Sequence, residues 1–229
     1  DEEDHIRALS VALASAQEVR LLRTHHHRDH AGAAGRLAQS LQATILGPSA
    51  CMPSGGSTGH RPDAASDTLA VPFQELADGD RVSTDKGEIV VYEVPGHTKD
   101  HLAFHWINTN SLFVGDLLLG KGETTWIGEY LGSVGDYLAS LSRVEALGPG
   151  VIYPGHGPPI TSPGRVLGRF RRHRLKRLEQ VKAARRENPQ ADSGMLAAII
   201  YGGEIPEKVL KAAEASVDAA LFHLDQTTD

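Results

Sequence analysis

Apolar residues recur along this chain with two periods, and the alternation between them outlines a succession of helices and strands. Ile6, Leu9 and Leu13 fall on one face of a helix expected over residues 4–16, with Asp4 placed to cap it. The short run 19–23 reads as a strand. A second helix is expected over 30–42, its buried stripe formed by Ala34, Leu37, Ala38 and Leu41, and 43–46 as another strand. Residues 47–77 carry no clear period; the Gly- and Ser-rich stretch from Cys51 to His60 reads as a loop. From Asp78 the period becomes two. Strands are expected over 81–84, 89–94, 102–107 and 112–115, with turns at 85–87 and 108–110. A helix over 134–147 and a strand over 151–153 follow.

The last third turns helical. Residues 164–186 read as one long helix with Leu167, Phe170, Leu175, Leu178 and Val181 on a shared side. Two more helices are expected over 195–201 and 206–224. Pro206 suits the first turn of the latter, and Val209, Leu210, Ala213, Val217, Ala220, Leu221 and Leu224 form its stripe. The pattern is α/β in character. It divides into a domain over residues 1–163 and a helical one over 164–229.

Composition narrows the classes. The 229 residues suit one large domain or one with an appendage, and no apolar run approaches the roughly 18–20 residues that span a bilayer. A single cysteine, Cys51, excludes an internal disulfide and a cysteine-rich zinc site, and fits a cytoplasmic protein. The net charge is −6, yet ten of the 23 Lys and Arg residues lie between Arg165 and Arg186, where Glu179 is the one acid. A basic helix of this kind is either a solvated surface or a contact face for phosphates.

Candidate chemistry concentrates in THHHRDHAG, residues 24–32, which puts His25, His27, Asp29 and His30 inside six positions. Imidazole nitrogen and carboxylate oxygen are the donors preferred by zinc and its first-row neighbours. In an extended segment residues two apart point the same way, so His25 and His27 can grip one metal while Asp29 and His30 turn toward a second. His97 in PGHT, Asp116 in GD and His156 in PGHG, like His25, each follow a short apolar strand. Strand ends are where such folds build sites. His101, four residues after His97, either contacts substrate, orients a ligand, or is a hydrogen-bonded residue at a strand start. His26 sits at a position not expected to ligate, and His105 alternates within a strand and reads as packing. Thr124 and Thr125 read as loop hydrogen-bonding residues. His5, His60, His173 and His223 read as surface or helix residues.

Taken together, these motifs resemble the metallo-β-lactamase superfamily. PGHTKDH, GDLLLGKGETTW, YPGHGPPI and the helical tail are similar to its β-lactamase-like protein 2 branch, whose core resembles glyoxalase II. The resemblance implies an αββα sandwich with a small winged-helix-like C-terminal domain. It assigns His25, His27 and His97 to one metal, Asp29, His30 and His156 to a second, and Asp116 to both. It implies two zinc ions, with iron or manganese as alternatives, a bridging hydroxide as nucleophile, and Asp116 and His101 as catalytic candidates.

Three functions follow from it. The first is hydrolysis of phosphodiesters in single-stranded RNA; the second is hydrolysis of a small-molecule thioester or other acyl compound, as in glyoxalase II. The third is a metal-binding scaffold without turnover. No aromatic base-stacking surface is visible in the sequence. The family begins with several strands ahead of its first helix, whereas this chain opens at that helix. One sheet is therefore expected to lack members, its cover lying outside this sequence or coming from another chain, as in a dimer.

Overall fold

The computed structural model describes residues 2–49, 71–122, 124–128, 131–202 and 207–227. Cys51, His60 and Pro206, all named above, lie outside the described residues. In chain order the elements are α1 (Glu2–Ala12), β1 (Arg20–Leu22), α2 (Arg28–Ala31), α3 (Ala34–Leu41), β2 (Thr44–Gly47), β3 (Phe73–Glu75), β4 (Arg81–Thr84), β5 (Gly87–Glu93), β6 (Leu102–Trp106), β7 (Ser111–Gly115), α4 (Val134–Leu147), β8 (Val151–Pro154), α5 (Pro163–Glu187), α6 (Ser193–Tyr201) and α7 (Glu207–Thr227).

The strands form two sheets. One has three strands in the order β1-β2-β3, all parallel; the other has five in the order β4-β5-β6-β7-β8. In the larger sheet neighbours run antiparallel from β4 to β7, and β8 joins β7 in parallel. Parallel neighbours need a crossover connection; α2 and α3 supply it between β1 and β2, and α4 between β7 and β8.

The alternation of side chains on each strand then fixes four layers. Ala38, Ala43 and Ile45, with Leu21, Ala34 and Leu41 against them, pack α3 on the small sheet. Leu46, Leu76, Val82, Val91, Leu102 and Phe104 fill the space between the sheets. On β6, Ala103 points the other way, and with Val94, Leu112, Val114 and Ile152 it meets Tyr137, Leu141 and Val144 of α4 and Leu167 and Phe170 of α5. This is the helix–sheet–sheet–helix sandwich expected. Leu196 of α6 and Val217 of α7 belong to that same apolar cluster. The described residues of the tail form three helices, and no strand is among them.

Several boundaries differ from expectation, each for a local reason. Helix α1 starts at Glu2, so Asp4 lies within its first turn and does not cap it. The helix expected over 30–42 is two helices. The first starts earlier, at Arg28, and closes where Gly32 N–H bonds the Arg28 carbonyl at 2.7 Å. Strand β3 was not expected, because all three of its residues are exposed and carry no alternation. On α5, Leu175 is 46% exposed, and Arg174 takes the buried place. Residue 174 stands four after Phe170 and four before Leu178, so it shares their face of the helix and Leu175 does not.

Among the described residues β1 has a partner on one side alone. Beside it the rings of Phe113 and Tyr153, 37% and 38% exposed, stack at 5.1 Å along a cavity of about 400 Å³.

Candidate metal centre

Four loops, each leaving the end of a strand, meet at one point. The loop after β1 brings His25 and His27, and α2 brings Asp29 and His30. His97 follows β5, Asp116 follows β7 and His156 follows β8. The small sheet thus supplies four of these side chains and the large sheet three. His27 is the last extended residue, at φ −62° and ψ 145°, and the helix begins at the next position. That switch is what turns Asp29 and His30 away from the direction of His25 and His27.

The donor atoms converge. His25 Nε2 lies 3.2 Å from His27 Nδ1, and His97 Nε2 lies 2.9 Å from the same atom. His30 Nε2 and His156 Nε2 are 3.2 Å apart, and His156 Nε2 is 3.0 Å from Asp29 Oδ2. The Asp116 carboxylate stands between the two sets, with Oδ1 at 3.3 Å from His30, and Oδ2 at 3.5 Å from His156 and 3.9 Å from His97. Three overlapping groups, His25–His27–His97, His25–His30–Asp116 and Asp29–His30–His156, each keep their donor atoms within 4.8 Å. Two nitrogens held about 2.0–2.1 Å from one tetrahedral zinc lie about 3.3 Å apart. The observed spacings match that figure, so this donor set fits a small N/O-binding cation.

Neighbouring groups set the direction of each lone pair. His97 donates its Nδ1–H to the Trp126 carbonyl at 2.7 Å, and His25 Nδ1 faces Thr24 Oγ1 at 3.0 Å. The His97 bond leaves its Nε2 as the acceptor aimed into the cluster, the arrangement that metal-binding histidines favour. Arg174 explains the buried place it takes on α5: its guanidinium donates to the Thr125 carbonyl at 2.7 Å and to Thr124 Oγ1 at 3.1 Å. It thereby holds the 124–126 segment against His97. Gly155 completes the wall, because a Cβ there would stand 2.5 Å from His30 Cε1 and 2.7 Å from Asp116 Oδ1.

Electrostatics agree with this division. Burial drives the pKa of His25 far down, reinforced by the surrounding imidazoles, and lowers His97 to about 4. Burial opposes protonation of His30 too, but the hydrogen bond and charge of Asp116 prevail and raise it. Burial would raise the Asp116 carboxyl, yet the His30 hydrogen bond holds it below its usual range.

His101 has no exposed surface, and it accepts the Asp116 backbone N–H on Nε2 at 3.1 Å while stacking on His25 at 4.7 Å. A side chain so enclosed does not contact substrate, so of the readings open in the sequence only a positioning or structural one suits it. Its burial lowers its pKa to about 3. The unfolded chain binds protons to His97 and His101 near pH 6.5, before the folded one does. In the metal-free protein these two rings are therefore expected to cost stability as pH falls from about 6.5 toward 4, on the order of 3 kcal/mol from His97 alone. Urea midpoints measured across that range check this; a flat profile would contradict the burial of neutral rings.

The remaining candidates separate cleanly. His105 is buried and meets Asn110 Oδ1 at 2.9 Å, as packing requires. Thr124 and Thr125 serve loop hydrogen bonds. His5 is exposed, and His173 and His223 are half-buried on helices. Sequence reasoning missed the Trp126 carbonyl, which no side-chain pattern announces, and Arg174, which an apolar stripe hides. It also missed Asp100, which bonds His26 across 74 positions.

Comparison with known proteins places this geometry. A profile of the metallo-beta-lactamase superfamily matches residues 5–156. The chain is 27% identical over 223 residues to the beta-lactamase-like protein 2 homolog of Caenorhabditis elegans, an alignment spanning 96% of this chain and 70% of that protein. It is 38% identical over 104 residues to a hydroxyacylglutathione hydrolase of Pseudomonas syringae, over 44% of this chain and 34% of that one. The crystal structure of a beta-lactamase domain protein from Burkholderia ambifaria superposes with a TM-score of 0.79 at 24% identity, covering 97% of this chain and 75% of that chain.

Proposed function

The chain belongs to the metallo-beta-lactamase superfamily, and from that premise we propose that it is a hydrolase holding two metal ions and cleaving small-molecule thioesters. The observation that carries the metal reading is the sharing of Asp116 between two sets of donor atoms. His25, His27 and His97 would hold one ion, Asp29, His30 and His156 the other, and Asp116 both. Zinc is the default for this N/O set, with iron or manganese compatible. Bound ions of this kind lower the pKa of water toward about 7 and polarise an attacked carbonyl.

The side chains divide the remaining work. Burial keeps His25 and His97 neutral, so their lone pairs are available at neutral pH without first losing a proton. Asp116, ionised and half ringed by imidazoles, is placed to hold the proton of the attacking water. Asp29 and His156 lie at the exposed margin, which makes theirs the side from which substrate enters.

The basic helix bears on the choice between thioester and RNA. Five of its ten cations have partners within the molecule: Arg169 over the Phe170 ring, Arg171 with Glu145, Arg174 with the 124–125 segment, Arg177 over the Tyr201 ring, and Arg185 with Asp225. Arg174, which reaches the loop bound to His97, is buried and spent on that loop. A net charge of −6 does not draw in a polyanion. The likeness to a hydroxyacylglutathione hydrolase supports the acyl reading, and RNA hydrolysis, implied by the resemblance of the sequence motifs, stays as the second.

Zinc-loaded protein assayed in parallel on S-lactoylglutathione and a single-stranded RNA oligomer tests the choice. Thioester hydrolysis that a chelator abolishes and zinc restores is the expected result. RNA cleavage alone, with binding that weakens steeply in salt, would transfer the assignment to the second reading. No turnover of either substrate by protein that binds zinc would leave the scaffold.

A further inference from the structure

We propose that His26 and Asp100 form a buried positioning pair that holds His25 and His27 in register with His97. This rests on the metal reading above. His26 lies between two donor residues in an extended segment, so its ring points away from theirs. There its Nδ1–H donates to Asp100 Oδ2, and both side chains are enclosed, with 7% and 5% of their surfaces exposed. Asp100 sits three residues after His97 and directly before His101. The pair therefore joins the loop that carries His25 and His27 to the loop that carries His97, on the side facing away from the donor atoms.

The His97 loop is braced within itself, where Gly96 N–H bonds the Thr98 carbonyl at 2.9 Å, but between the two loops the backbone bonds lie at the flanks. Leu102 N–H bonds the Thr24 carbonyl at 2.8 Å, and the His27 carbonyl accepts from His30 and Ala31 at the start of α2. Between those points the chain is neither strand nor helix, and the His26 side chain supplies the cross-link. Burying a polar pair is costly, and an apolar pair of similar volume would pack as well or better. What an apolar pair would not supply is direction. The hydrogen bond fixes the rotation of the 25–27 segment about its own axis, and that rotation decides whether both flanking imidazoles face His97. His101 supports the same segment by stacking on His25 at 4.7 Å, while its Nε2 receives the Asp116 N–H. Groups that orient metal ligands without touching the ion are worth about 10–100-fold in metal affinity.

The test uses the intact chain, zinc titrated against a chromophoric chelator, the visible spectrum of the cobalt(II)-loaded protein, and melting of the metal-free form. Asp100→Ala is expected to weaken the tighter zinc site by about 10–100-fold and to change the cobalt spectrum. Asp100→Asn, which keeps an acceptor oxygen, is expected to recover most of the loss. A lower melting temperature with unchanged zinc affinity and an unchanged cobalt spectrum would overturn the proposal and leave the pair structural. Should Asp100→Ala not fold, Asp100→Leu, which fills the space without an acceptor, His26→Gln and their combination decide. Weakened zinc binding in each single variant, with no further loss in the double, supports a pair that works as a unit. Additive losses, or none, overturn it. Failure of the unaltered protein to bind zinc would instead strike the metal reading itself.

Discussion

Asp116→Ala is expected to lower kcat/KM by about 1,000-fold, close to 4 kcal/mol of barrier. Asp116 is the one side chain with oxygens near nitrogens of both donor sets, at 3.3 Å from His30, 3.5 Å from His156 and 3.9 Å from His97. Its removal takes away a shared ligand and the acceptor proposed for the proton of water in one step. The loss should appear in steady-state kinetics on the substrate turned over by the unaltered protein, together with fewer zinc ions bound per chain. Asp116→Asn keeps one oxygen acceptor and loses the charge, so it should fall between the two. Turnover that survives Asp116→Ala would remove the hydrolase assignment.

Phe170→Ala is expected to cost about 3–5 kcal/mol of stability, and Leu175→Ala no more than about 0.5 kcal/mol. Both residues lie on α5 and both are large and apolar. Phe170 is buried among α4, α5 and the large sheet, whereas Leu175 faces outward. For a chain of this size each kcal/mol is about 2–4 °C of melting temperature, so Phe170→Ala should lower it by roughly 6–20 °C. Calorimetry of both variants checks the pair. Equal losses would restore Leu175 to the buried face and dislodge Arg174 from it.

That contrast shows where the sequence is an incomplete guide. A helical stripe is read by residue type, and the rule that arginine stays outside is broken when a guanidinium has carbonyls to satisfy. Arg174 has them in the 124–125 segment, a contact 49 positions away that no local pattern reveals. Strand β3 stayed hidden because its exposed residues leave no alternation. Most other elements were legible, since α4 buries one side at a helical period and β5, β6 and β7 are short apolar runs bounded by turns and loops, β6 buried on both faces. The seven side chains of the cluster were visible as well, because donor atoms crowded into short motifs at strand ends are a chemical signal independent of packing. Their division into sets came from resemblance to a family, and the geometry brings together the same groups. The orienting contacts were not visible, as the Trp126 carbonyl is backbone and the His26–Asp100 bond depends on how two distant loops meet.

Because the cluster draws four donors from one sheet and three from the other, an ion seated there would act as a clasp across the sandwich. On the reading proposed here, part of the energy of ion capture is energy of cohesion between the layers. The same polypeptide would then be hardier in a zinc-replete cell than in a starved one, with its lifetime set by trace-element supply as well as by its own packing.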